Sequence, residues 1–190
     1  MFKYFHIIKF LMTHDLTFLK ECLEVEFIIG EFSWRKVITR IIKKKQENYY
    51  FWWRLANEMF RNGSKKQKRI ATNIQTRLIR QYNVEIGLGA TIDYGLKIAH
   101  FFAIIISPNV VIGKNLFIHQ CVTIGRNYTC GQDKIKINDN VVICSNSVII
   151  GGNIKIGHNV IIGAMSFINK NIPDNCTVYT EKNNKILIRN

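Results

Sequence analysis

The sequence predicts an α+β chain: an N-terminal α-helical region over residues 1–82, a parallel β-helix over 83–175, and a short C-terminal tail, 176–190. Three observations carry this. Apolar residues recur at helical spacing up to about residue 82. After Asn83 that spacing ends, and Ile recurs every six residues. The six-residue period then breaks at only three places, each marking an irregular corner or loop.

In the helical region, "THDLTFLKECLEVEFIIGEF" offers Thr13 or Asp15 as an N-cap and sets Leu16, Leu19 and Leu23 on one face. "SWRKVITRIIKKKQENYYFWWRLANEMFRNG" starts at a Ser33 cap and stops at Asn62-Gly63. "SKKQKRIATNIQTRLIRQYN" aligns Ile70, Ile74 and Leu78 beneath basic residues. The cluster Tyr49-Tyr50-Phe51-Trp52-Trp53 is too wide for one core stripe, so packing against another subunit is expected, with a membrane-facing belt as the alternative.

Beyond Asn83, one series is Ile86, Ile92, Ile98, and a second is Ile106, Ile112, Ile118, Ile124. Ile137, Ile143, Ile149 and then Ile156, Ile162, Ile168 complete the pattern. Six residues make one strand plus one turn, and three such rungs close a coil whose aliphatic side chains stack into a column. Ile98 to Ile106 is eight, so two extra residues are expected just after His100. Ile124 to Ile137 is thirteen, so "GRNYTCGQDKIK", 125–136, is expected to leave the prism as an extruded loop.

Composition narrows the class. The net charge is +14, of which +10 falls in residues 1–82, where 17 Lys/Arg face 7 Asp/Glu. No nucleic-acid motif accompanies the charge, so nucleic acid is not an expected partner. A basic, aromatic region of this kind suits peripheral contact with an anionic membrane face. The first twelve residues carry Lys3, His6 and Lys9 without a cleavage site, and no stretch has the ~18 uncharged apolar residues of a spanning helix. Five cysteines (22, 121, 130, 144, 176) form no C-x-x-C pair, which fits a cytoplasmic, reducing setting. The five histidines (6, 14, 100, 119, 158) lack the close pairing that a metal hydratase on such a prism requires, so no metal is expected.

His100 then acquires a register. It lies two places after Ile98, at a turn, and the corresponding positions of later coils are Gln120, Ser145 and Ala164. Glu85 is expected at the same corner one coil below. A carboxylate beneath an imidazole fixes its tautomer and leaves the other nitrogen as a general base.

These segments resemble the left-handed β-helix (hexapeptide-repeat) acyltransferases, in particular the serine acetyltransferase branch. "EIGLGATIDYGLKIAH", 85–100, is similar to that branch's D-I-H-P-x-x-x-I-G-x-G-x-x-[IL]-x-H, and "IHQCVTIG", 118–125, to its I-x-Q-x-V-T-[IL]-G. "GLKIAH" followed by "IIISPN" resembles the subgroup encoded with capsule and surface-polysaccharide genes. The resemblance implies a left-handed coil, with His100 as catalytic base and Glu85 as its orienting acid. It also implies acetyl-CoA as co-substrate in a groove marked by Gln120, Ser145, Ala164 and Lys170, and a homotrimer or a hexamer of two trimers.

Two departures shape the expected acceptor. The family's D-R-H-P-K loop, whose Arg and His hold the amino acid's carboxylate, reads Gln132-Asp133-Lys134-Ile135-Lys136 here. Lys134 and His119 remain as acceptor contacts. The family's C-terminal G-x-P turn reads Thr180-Glu181-Lys182, so Lys182 and Lys185 are the residues expected to meet the cofactor phosphates. The expected activity is therefore acetyl-CoA-dependent O-acetylation of a sugar hydroxyl in a surface polysaccharide or its lipid-linked precursor. Serine O-acetylation is the alternative, and a non-catalytic assembly protein the third reading.

Overall fold

Five helices come first. The computed structural model describes residues 2–43, 47–125, 134–181 and 187 of the chain. Helix α1 spans Phe2–Thr13, and α2, Thr17–Leu23, begins where the Asp15 carboxylate accepts from the Thr17 N–H at 2.9 Å. A π-helical turn, Glu24–Ile28, extends α2 and stops at Ile29, a left-handed residue with φ of 55°. The single helix expected from Ser33 to Asn62 is two, α3 (Trp34–Lys43) and α4 (Asn48–Asn62). Asn48 Nδ2 donates to the Ile41 carbonyl at 2.8 Å, closing the end of α3 where apolar spacing alone predicts continuity. Gly63 stops α4 as expected, its N–H bonding Met59 O at 3.0 Å. Helix α5, Lys65–Tyr82, opens on a capping box between Ser64 and Gln67 and ends at left-handed Asn83.

The strands follow in threes. β1 (Val84–Ile86), β2 (Thr91–Ile92) and β3 (Lys97–Ile98) form the first coil; β4 (Ile104–Ile106), β5 (Val110–Ile112) and β6 (Phe117–Ile118) the second. β7 (Thr123–Gly125), β8 (Ile135–Ile137) and β9 (Val142–Ile143) form the third, and β10 (Val148–Ile150), β11 (Lys155–Ile156) and β12 (Ile161–Ile162) the fourth. β13 (Phe167–Ile168) and β14 (Thr177–Val178) close the series. Every third strand pairs in parallel, giving sheets β1-β4-β7-β10-β13, β2-β5-β8-β11 and β3-β6-β9-β12-β14. The hexad isoleucines fall in register, as in Ile98↔Ile118↔Ile143↔Ile162, and all point inward into one buried column. β14 still pairs with β12, so the prism reaches Val178, within the stretch expected as tail. Ile106 to Val110 spans four residues and Ile124 to Ile135, its equivalent one coil later, spans eleven. The excess falls within the stretch expected as an extruded loop, 125–136, but Gly125, Ile135 and Lys136 belong to β7 and β8, and residues 126–133 lie outside the described ones.

Helix α4 covers the open edge of the first coil. A sheet edge exposes unpaired backbone groups that must be satisfied when buried. Here side chains do it: Trp53 Nε1 donates to Ile86 O at 2.9 Å, Asn57 Nδ2 to Ala90 O at 3.0 Å, and Arg54 to the carbonyls of Ile92 and Asp93 at 2.5 and 2.8 Å. Gly89 N–H donates to Asn57 Oδ1 and Ile98 N–H to the Tyr50 hydroxyl, both at 2.8 Å. The aromatic cluster is therefore consumed within the chain. Tyr49, Tyr50 and Trp53 bury against the prism, and Phe51 buries on the opposite side with Leu55 and Phe27 of the helical core. A helix lying between two cores needs apolar residues on both faces, which is why the cluster exceeds one stripe.

Candidate functional site

The corner between the third and first sheets carries His100. Two hydrogen-bond ladders fix its register. Ala99 N bonds Ile118 O, His119 N bonds Ile143 O, and Cys144 N bonds Ile162 O, so Ala99, His119, Cys144 and Gly163 stack. On the far side of the turn Cys121 N bonds Phe102 O, Asn146 N bonds Gln120 O, and Met165 N bonds Ser145 O. The residue beneath Gln120, Ser145 and Ala164 is thus Phe102, not His100. His100 and Phe101 are themselves the two extra residues, which corrects an insertion placed after His100. Counting two from the strand identifies the corner but cannot say which of its residues are added.

The two inserted residues face opposite ways. Phe101 turns in against Tyr49, Tyr50 and Tyr82, with ring centroids at 5.5, 5.7 and 5.9 Å. His100 is left exposed, its carbonyl accepting from Phe102 N–H at 2.9 Å. Ala103 completes the turn in the left-handed region, as Cys121, Asn146 and Met165 do in later coils. Phe101 anchors this corner to the helices, a contact that sequence reasoning missed; the signal is two aromatics beside an insertion.

Glu85 does not share this corner. It is the middle of β1, opposite Ile105, exposed on the outer face of the adjacent sheet. No hydrogen bond or ion pair joins it to His100. The reason is topological: β1 is the first strand, so the place one coil below His100 belongs to the end of α5. Gln120 is partly buried, and its Oε1 has no hydrogen-bond partner. Ser145 is partly exposed and Ala164 exposed, so the column opens towards the later coils. His119 is partly exposed with its ring 4.8 Å from that of Phe117. Lys134 and Lys170 are exposed at a different corner, between the first and second sheets, and the chain does not bring them to His100. Lys182 and Lys185 lie outside the described residues.

A cleft of about 610 Å³ runs along the third sheet, lined by Ile98, Ala99 and Phe101 with Lys97, Glu47 and Asn115; His100 is not among its lining residues. Tyr50 and Glu26 also border it, but their polar atoms are taken up by Ile98, Arg54 and Leu96. Cys121 and Cys144 are free and partly exposed near the corner, whereas burial pushes the Cys22 thiol up to about 12, well away in the helical core. Among the described residues no three His, Cys, Asp or Glu side chains converge as a metal site would need.

The fold matches solved structures. Over 93% of this chain and 72% of the other, it superposes with a TM-score of 0.74 and 27% identity on the serine acetyltransferase of Neisseria gonorrhoeae in complex with serine. The chain shares its fold with this enzyme. A serine acetyltransferase from Brucella abortus strain S19 matches at TM-score 0.65 and 28% identity, over 72% of this chain. This chain spans only 54% of that enzyme's length. The Brucella enzyme in complex with coenzyme A matches at TM-score 0.69 and 22% identity, over 95% and 70% of the two chains. No family model matches the sequence, and no curated protein matches it by sequence.

Proposed function

We propose that the protein is an acetyl-CoA-dependent O-acetyltransferase with His100 as general base. The observation carrying this is an exposed histidine on a two-residue insertion at a corner of the prism, on a fold shared with enzymes of this chemistry. His100 would take the acceptor hydroxyl's proton as the oxygen bonds the thioester carbonyl carbon. The C–S bond then breaks, and the proton returns to the thiolate of CoA. The unpartnered Gln120 Oε1 offers an acceptor for an N–H of the pantetheine arm, and small Ser145 and Ala164 leave room along the coils. Lys170 and Lys182 supply positive charge for the phosphates.

L-serine is the acceptor that the structural neighbours favour. A sugar hydroxyl of a surface polysaccharide or its precursor is the second reading, supported by Lys134 standing where the family's loop has a carboxylate-binding Arg-His pair. Purified protein with acetyl-CoA and either L-serine or an oligosaccharide, followed by thiol release, separates them. His100→Ala should abolish release by either; unchanged turnover would sink the mechanism.

A homotrimer completes this reading. The outward residues of the first sheet are Glu85, Ile105, Thr123, Val148 and Phe167, and those of the third include Phe117, Val142 and Ile161. Ile105, Phe167 and Ile161 are exposed, so the two faces flanking His100 are apolar in their later coils, with Glu85 and Lys97 as their charged residues in the first coil, whereas the second face shows Lys136 and Lys155. Packing apolar faces together would set one prism's His100 corner against the next prism's Lys134 corner. Glu85, at the edge of such a contact, would then stabilise the imidazolium. The basic N-terminal region adds peripheral contact with an anionic membrane surface; among the described residues no helix is long and apolar enough to cross one.

A further inference from the structure

We infer that helix α3 is the element that docks on an anionic phospholipid surface. The inference rests on the peripheral contact just proposed and assigns it to one face of one helix. Trp34, Ile38 and Ile42 recur every four residues and form a stripe left in solvent, with Ile38 59% and Ile42 74% exposed. Only Val37 of α3 is fully buried, with Ile41 partly buried against the helical core. The helix therefore has more apolar surface than the chain can cover.

The charges beside the stripe select its occupant. Arg35, Lys36, Arg40 and Lys43 are the charged residues of α3, and none is acidic. Arg35, Lys36 and Arg40 line a groove of about 340 Å³ with Thr39, Ile28 and Ile29. Of the neighbouring acids, Glu47 faces Arg40 at 3.8 Å, and Glu31 offers only its backbone carbonyl to Lys36 Nζ at 3.0 Å. Left-handed Ile29, at φ of 55°, holds another exposed aliphatic side chain next to this groove, a conformation β-branched residues rarely adopt. An apolar stripe bordered by cations is the pattern of an interfacial helix, the groove accepting a phosphate or carboxylate headgroup. A second copy is the poorer partner, because a symmetric contact would set four cations against four.

Full-length protein is sedimented with vesicles of phosphatidylcholine alone, or with about a third phosphatidylserine. Wild type should bind only the anionic vesicles, less at high salt. Arg35→Gln with Lys36→Gln should weaken binding about 25-fold, at about fivefold per cation. Ile38→Ser with Ile42→Ser should weaken it about tenfold or more, leaving circular dichroism, oligomeric state and acetyl transfer to soluble acceptors unchanged. Failure of wild type to bind anionic vesicles, or equal binding to both kinds, overturns the membrane contact and the α3 assignment together. Unchanged binding by both α3 variants, with loss in Ile8→Ser/Met12→Ser on the exposed face of α1, overturns α3 alone. A changed oligomeric state in the Ile38/Ile42 variant makes this face a subunit contact and overturns the assignment.

Discussion

Arg54 and Glu26 form a two-pronged ion pair, Nε–Oε2 at 2.9 Å and Nη2–Oε1 at 2.5 Å, with both side chains almost wholly buried. Glu26 Oε1 also accepts from Leu96 N–H at 2.8 Å, and Arg54 bonds the carbonyls of Ile92 and Asp93. One pair thus ties α4, the π-helical turn and the first coil together. Burial pulls the Arg54 pKa down, but the Glu26 charge and hydrogen bonds more than offset this, so the guanidinium stays charged. Arg54→Met should cost about 3–5 kcal/mol, because Glu26 is left buried without its counter-charge. Arg54→Met/Glu26→Leu should recover part of that loss. Denaturant midpoints across the double-mutant cycle check this, and a single-variant cost below about 1 kcal/mol refutes the clamp.

Phe101→Ala should lower acetyl transfer without touching any reacting group. Its ring holds the inserted pair against three tyrosines, and a loose Phe101 lets His100 wander. A partly buried ring should cost about 2 kcal/mol in stability, less than the ~3–5 of a fully buried Phe. The distinguishing readout is kinetic: kcat falls more than about tenfold while KM for acetyl-CoA stays within about twofold, and Phe101→Leu restores most of kcat. A fall in stability with kcat intact would reduce Phe101 to packing.

Asn115, Asn140, Asn159 and Asn175 stack at the corner between the second and third sheets, all left-handed. Their side-chain amides bond in series at 2.9, 3.0 and 2.8 Å. Asn140→Ala loses two of these bonds and places a Cβ without local hydrogen bonding in the left-handed region, whereas Asn140→Gly loses only the bonds. The alanine variant should be less stable than the glycine variant by about 1 kcal/mol. Equal thermal midpoints would show that the backbone conformation carries no penalty there.

Glu58 supplies a pH test. Burial raises its carboxyl above the usual range, against the opposing pull of Arg61 and the Asn62 hydrogen bond. A raised folded-state pKa means the ionised form is disfavoured in the native state. That penalty is fully present above the folded pKa and disappears as pH falls below the unfolded value. Glu58→Gln, which keeps an oxygen for Asn62, should therefore raise Tm at pH 7 and match wild type in acid. A constant Tm difference across the range would exclude titration of Glu58 as the cause.

The prism was legible in the sequence because inward-pointing Ile every six residues is a one-dimensional signature of a repeating coil. Helix ends were legible where a local residue acts, as at Gly63. Three things were not. The break between α3 and α4 depends on Asn48 reaching the Ile41 carbonyl, a contact that spacing cannot encode. The inward role of the Tyr49–Trp53 cluster depends on α4 lying between two cores. Counting strands puts Glu85 one coil beneath His100, but the helix preceding β1 occupies that place. Counting does stack Gln120, Ser145 and Ala164, because they lie among regular coils.

The Phe101 socket gives the helices a second office. Tyr49 and Tyr50 come from α4 and Tyr82 ends α5, so the wall gripping the insertion is built from the helical region rather than from the repeat. Without the first 82 residues the His100 corner would lose that wall, leaving the histidine on a tether rather than a mount. On the proposed mechanism, reactivity is thus a joint product: the coils provide the track, and the helices determine where the histidine stands on it.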